Sequence, residues 1–335
     1  MVIKKTYLYI LFSLIYALWL CMLPHEIFKD RDSYLTIYAQ DFDGHLGLNS
    51  SPLLFMFNEG GYFLINKLLS VFQDPSVTVR IIVFTICFSV SFSCFRYTDK
   101  LWKAFVLLIL LFLNPQFFAM ELVVLRQGLG LAILLLFFPS NRVKLLFLLL
   151  LLGLIHTSFY ILFAFFLASL VIEKILKNSL IGLRQLVLVL IGIIFNVLIY
   201  FVSQYLGAKQ ELNASDAGGS GFMFLIWLVV LLYILIFKRE SRTSYDKYYE
   251  LFYDFSVMGL MIYLTGYFLS PISGRLIGTF IPFIYLVLLK RVNFLGFIVL
   301  FLVFCLNFLL FFRGGMEAFT LVSIIDFFKH LLFIS

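Results

Sequence analysis

Charge is scarce in this sequence. Only 13% of its 335 residues are Asp, Glu, Lys or Arg, where a soluble domain carries about 25%. A water-compatible surface for a chain of this size is therefore missing. Cysteine is rare as well: Cys21, Cys87, Cys94 and Cys305 all fall inside apolar runs. Their spacing and setting argue against a disulfide framework or a zinc site. The sequence holds no Walker motif, no GxSxG elbow and no HExxH pair, so the usual marks of P-loop, serine-hydrolase and zinc-protease chemistry are absent. No internal repeat and no soluble domain stand out.

What the sequence does have is apolar length. Hydrophobic residues make up 63% of it. They form continuous runs such as Ala104–Leu113, Leu145–Ile155 and Phe294–Phe312. A helix of about 20 mainly apolar residues spans a bilayer core, and only helices and closed barrels satisfy the backbone in lipid. These runs are apolar on every face rather than alternating, which predicts helices. The spans fall near 6–24, 77–95, 104–122, 127–138, 145–156, 157–172, 186–203, 222–237, 251–270, 276–289 and 294–312. A more polar segment, 319–334, follows. The expected fold is thus all-α: a polytopic transmembrane bundle of about eleven spans, ten to twelve, in one membrane domain, 1–335. The first run follows Lys4 and Lys5 and reads as an uncleaved span, since no small-residue cleavage site follows it.

The net charge of +7 does not point to nucleic acid, because the basic residues are scattered over short loops. With a cytoplasmic N-terminus, 16 of the 25 Lys and Arg fall on cytoplasmic segments, the orientation the positive-inside rule favours. The other nine, among them Lys29, Arg31, Arg80, Arg126 and Arg275, lie on the outer side, where topology does not need them. The largest outer loop, 24–76, carries Asp30, Asp32, Asp41 and Asp43. Within it, Tyr62–Phe72 reads as an amphipathic surface helix with Asn66 and Lys67 on its polar side. A second outer loop, 204–221, is rich in Gly, Ser, Asn and Ala and reads as mobile.

Three polar sites stand at outer-side breaks between helices. Arg126 opens a span in Leu125-Arg126-Gln127-Gly128, five residues after Glu121. The glycines allow close approach of a ligand or another helix. Snorkelling is the plain alternative for a lone arginine. His156, in Ile155-His156-Thr157-Ser158, could serve as a general base or as a hydrogen-bond donor, or simply pack. Arg275 lies in Ser273-Gly274-Arg275, and a water-facing connector is its plain reading. Two arginines and a histidine at one level suggest an anion site, with Gln127 beside it. The planar guanidinium fork suits a diphosphate. Asp32 and Glu121 are outer-side carboxylates able to act as the base instead. Asp30-Arg31-Asp32 has the DxD form, but no complete metal ligand set accompanies it.

In order, Asp30-Arg31-Asp32-Ser33-Tyr34, Asn58-Glu59-Gly60-Gly61-Tyr62, Leu125-Arg126-Gln127-Gly128-Leu129, Ile155-His156-Thr157-Ser158 and Gly274-Arg275-Leu276 resemble the Wzy/EpsG-type polysaccharide polymerases of bacteria. That family often carries a Glu-Pro-Gly-like motif where this chain has Glu59-Gly60-Gly61. The resemblance implies a GT-C-like membrane glycosyltransferase of the inner membrane, making O-antigen or a related exopolysaccharide. Its substrates would be undecaprenyl-diphosphate-linked oligosaccharides, both donor and acceptor, on the periplasmic side. It implies no metal or other cofactor, and a chain-length regulator protein as possible partner. An O-antigen ligase, a flippase of lipid-linked sugars and a membrane O-acyltransferase are the alternatives. A flippase needs a cationic cavity reaching both leaflets, and an acyltransferase needs its histidine on the cytoplasmic side.

Overall fold

The computed structural model of the protein describes residues 2–38, 55–56, 58–176, 181–205, 221–238, 247–269 and 271–314. Asp41, Asp43, most of the loop expected at 204–221 and the segment 319–334 lie outside the described residues. Among the described residues every regular element is helical. Among the described residues three helices are long and apolar enough to cross a membrane, or four if one bent pair is a single span; shorter apolar helices accompany them. The chain divides into two compact units. The first is Met1–Phe138, Phe147–Tyr160 and Leu306–Ser335; the second is Pro139–Leu146 and Ile161–Cys305.

In the first unit, α1 (Val2–Cys21) lies along α3 (Pro75–Tyr97), joined by stacking of Tyr9 and Phe12 on Phe95. Between them comes α2 (Gly60–Leu69), followed by a 3₁₀ turn at Ser70–Phe72. This pair corrects the expected polar face. Asn66 is buried, its side-chain amide donating to the Tyr62 carbonyl at 2.9 Å. A short amide can fold back on its own helix and so join the packed side. The exposed face instead shows Leu64, Leu68, Val71 and Phe72, with Lys67 at its edge.

The run 104–122, expected as one span, is two helices. α4 (Leu101–Phe112) and α5 (Pro115–Leu122) meet at 86°. Pro115 supplies no N–H to the ladder and its ring clashes with the preceding turn. The Asn114 side chain caps α5 by accepting the Phe117 N–H at 3.0 Å, and donates to Asn307 Oδ1 at 3.0 Å. After the turn Val123–Val124, α6 (Leu125–Leu136) packs on α5 and α3. Gly128 makes the α5–α6 approach possible: a Cβ there would overlap the Met120 carbonyl oxygen. In lipid, where apolar burial drives association weakly, such small-residue contacts carry helix packing. α7 (Arg142–Leu152) leads into the turn Gly153–Thr157, and α8 (Ser158–Ile175) starts there.

In the second unit, α11 (Lys247–Gly266) is central, packed by α9 (Ile181–Tyr205), α10 (Phe222–Phe237) and α12 (Pro271–Leu289). Its Gly259 admits the Phe280 ring of α12. Arg142 binds Glu173, Glu250 and Asp254 at 2.8, 3.0 and 2.6 Å, tying the starts of α7 and α11 to the end of α8. The buried Lys238 ammonium donates to the carbonyls of Lys290 and Arg291, closing the C-terminus of α12, where a cation suits the helix dipole. The last helix is α13 (Phe294–Gly314). Its uncovered face carries Phe294, Phe297 and Phe301, an apolar surface of the kind lipid accepts.

Candidate functional site

The polar centre of the first unit is built on Glu59. This residue adopts a left-handed backbone conformation, φ 58°, rarely taken outside glycine and asparagine. The turn it makes sets Gly60 and Gly61 at the start of α2. The Gly61 N–H donates to the Leu154 carbonyl at 2.9 Å, and a Cβ on Gly61 would stand only 3.0 Å from that oxygen. Gly61 therefore docks the start of α2 against the turn that precedes α8, while Gly60 makes room for the Phe55 ring. Strain in a non-glycine residue costs about 1–3 kcal/mol and persists where the surroundings hold it.

What holds Glu59 is its carboxylate, which is buried. Oε2 accepts from Arg126 Nη1 in a close ion pair. Oε1 accepts the Thr157 backbone N–H at 3.3 Å and lies 3.8 Å from His156 Nε2. The other ring nitrogen, Nδ1, accepts the Ser158 N–H at 3.2 Å and meets the Ser158 hydroxyl at 2.7 Å. An acceptor Nδ1 leaves the proton of the neutral ring on Nε2, facing Glu59. Glu59 thus pairs with Arg126 and has the His156 ring 3.8 Å from its other oxygen. The Arg126 side chain keeps 29% of its surface exposed.

The structure brings Arg126 and His156 together, through a carboxylate that the sequence pattern presents only as part of a motif. Glu121, read as the acidic neighbour of Arg126, points elsewhere. It is buried and accepts from the Tyr16 hydroxyl at 3.1 Å, with the Cys87 thiol beside it. Gln127 is buried in α6, and Gly128 is filled by Met120 rather than left open to a ligand. Asp32 is exposed; its carbonyl, not its carboxylate, accepts from Thr36 at 2.7 Å. Arg275 is exposed on the first turn of α12, in the second unit. Among the described residues no group of three His, Cys, Asp or Glu is arranged to hold a metal ion.

Arg31, between the two aspartates of the DxD segment, is the buried member of that segment. It donates to the Leu122 carbonyl at the end of α5 and lies over the Phe28 ring, 4.9 Å from its centroid.

The tautomer gives His156 a testable signature. His156→Ala removes the Nε2–H that faces Glu59 and, on the polymerase activity that the sequence resemblance implies, polymer should be lost at normal protein level. His156→Gln can offer an amide N–H to Glu59 and should retain part of the activity. Gel analysis of surface glycan, with membrane abundance measured beside it, checks both. Wild-type chain length in the Ala variant would make His156 a packing residue.

A search of curated proteins and a search of solved structures each returned no match. A family model described as the EpsG family matches residues 6–320, almost the whole sequence and every helix described above. By that match this chain belongs to the EpsG family.

Proposed function

We propose that the protein is a polysaccharide polymerase of the bacterial inner membrane. It crosses the bilayer about eleven times with a GT-C-like arrangement, and its site faces the periplasm. It moves a growing glycan from undecaprenyl diphosphate to the non-reducing end of a new lipid-linked repeat unit. Membership of the EpsG family supports a polymerase-type role. The observation that carries the chemistry is the Arg126–Glu59–His156 cluster.

In this transfer the acceptor hydroxyl attacks the anomeric carbon of the donor. The new bond is carbon to acceptor oxygen, and the bond that breaks joins the anomeric carbon to the diphosphate. Negative charge grows on the departing lipid diphosphate, where Arg126 stabilises it. The proton of the acceptor hydroxyl passes to the Glu59 carboxylate. His156 Nε2–H and the Thr157 N–H hold that carboxylate in place. No metal or other cofactor takes part in this scheme.

Deleting the gene in its native strain tests the reading. The surface-glycan ladder should collapse to a single repeat unit on its acceptor. Loss of even that unit would instead identify a flippase or a ligase.

A further inference from the structure

The segment after α1 holds a second group of cations that the Arg126 cluster does not use. His25 Nε2 lies 3.0 Å from the Ser76 hydroxyl and accepts from Arg80 Nε at 3.4 Å. Ser76 and Arg80 belong to the first turns of α3. Arg31 follows His25 on the same segment and is only 3% exposed. Among the described residues no carboxylate is bonded to either guanidinium: Arg31 reaches a backbone carbonyl, and Arg80 reaches His25 and the Met22 sulfur. Asp74 lies close by, but its carboxylate caps α3 through the Ser76 N–H.

Two buried donors here have no acceptor among the described residues, Arg31 Nε and His25 Nδ1. Burying an ion without a counter-charge is expensive unless something else compensates, and an orphaned buried N–H is uncommon. Burial, with Arg31 and Arg80 adding to it, pulls His25 down to about 4. The ring is therefore neutral at physiological pH. Because Nε2 accepts from Arg80, the ring proton stands on Nδ1, ready to donate. Burial likewise pulls the Arg31 guanidinium down to about 10. The apolar face of Leu64, Leu68, Val71 and Phe72 is uncovered nearby. It is tied to α3 by the Thr78 hydroxyl donating to the Leu69 carbonyl at 3.3 Å.

We propose that His25, Arg31, Ser76 and Arg80 form a second oxyanion site, which takes the diphosphate head of a lipid-linked substrate while the apolar face of α2 lies against its prenyl chain. The assignment rests on the polymerase reading, which requires two lipid diphosphates, donor and acceptor, to be held at once. The Arg126 cluster accounts for one of them. The chemistry required of the other site is cationic and neutral N–H donors beside an apolar surface, which is what this segment presents.

Full-length protein in nanodiscs, titrated calorimetrically with farnesyl diphosphate, tests the site. Wild type should bind two equivalents. Arg80→Gln should bind one, and Ser76→Ala should weaken one class about ten-fold, a loss of about 1.4 kcal/mol. Arg80 is half-buried and Ser76 is small, so both variants should fold where an Arg31 substitution need not. Arg126→Gln should also bind one equivalent, by losing the other class. Two equivalents of unchanged affinity in Arg80→Gln would overturn the second site, whatever Arg126→Gln does. One equivalent in wild type that vanishes in Arg80→Gln would support this site and count against the Arg126 clamp instead. Inorganic pyrophosphate should bind at least ten-fold more weakly than farnesyl diphosphate; equal affinity would overturn the lipid assignment.

Discussion

Arg126→Lys is expected to reduce polymerisation by roughly 10²–10³-fold, the usual cost of losing one donor to a transition-state anion. On a glycan gel that turns a long ladder into a single repeat unit. Lysine keeps the charge, but it cannot bind Glu59 with one arm and a diphosphate with another, because it carries a point charge rather than a planar fork. A snorkelling arginine would tolerate the change. Glu59→Gln should be comparably damaging for a different reason. It takes the Glu59 charge away from Arg126 and removes the carboxylate proposed to take the acceptor proton. A buried partner left unsatisfied costs about 1–3 kcal/mol, so membrane abundance must be followed in both variants. The double variant should be little worse than either single one, since the two residues act as a unit. Losses that simply multiply would separate Glu59 from the Arg126 function. Arg275→Lys should lose less polymer than Arg126→Lys, because the Arg275 side chain is exposed. Full-length polymer from abundant Arg126→Lys protein would end the clamp hypothesis.

Gly128→Ala is the second change expected to be severe, through packing rather than chemistry. The new methyl group would overlap the carbonyl oxygen of Met120, and a backbone oxygen inside a short capped helix cannot swing aside. Overpacking of this kind costs about 1–3 kcal/mol, enough to lower membrane abundance several-fold. Gly130, two positions on, faces the Phe159 side chain instead. A ring has more freedom to shift than a peptide group, so Gly130→Ala should be better tolerated. Thermal unfolding in detergent, compared across the two variants, checks the order. Equal stability of Gly128→Ala and wild type would mean that α5 does not hold α6 so closely.

The helices are legible because lipid leaves few options for a long apolar run, but the break at Asn114-Pro115 is hidden, since apolar residues on both sides make 104–122 look like one span. Arg126 and His156 stood out as polar residues at helix starts. Glu59 did not, because its bond to Arg126 spans 67 positions and its left-handed backbone is not written in its own identity. Glu121 misled for the opposite reason. Nearness in sequence suggests nearness to Arg126, but the Glu121 carboxylate is buried against Tyr16 and Cys87. Asn66 misled because polarity was read as exposure, whereas an amide bonded within its own helix can be buried.

The bond from Arg31 to the end of α5 also sets an order of events during synthesis. Its acceptor, Leu122, follows 91 positions later. At a translation rate of about 5–20 residues per second, that interval is on the order of ten seconds. For that time the guanidinium has no carbonyl to meet and stays hydrated at the membrane edge. The segment carrying it can seat only after α4 has turned and α5 has emerged. Closure of this part of the protein therefore waits on a helix made well after the arginine itself, and a ribosome stalled before residue 122 should leave Arg31 open to guanidine-modifying reagents.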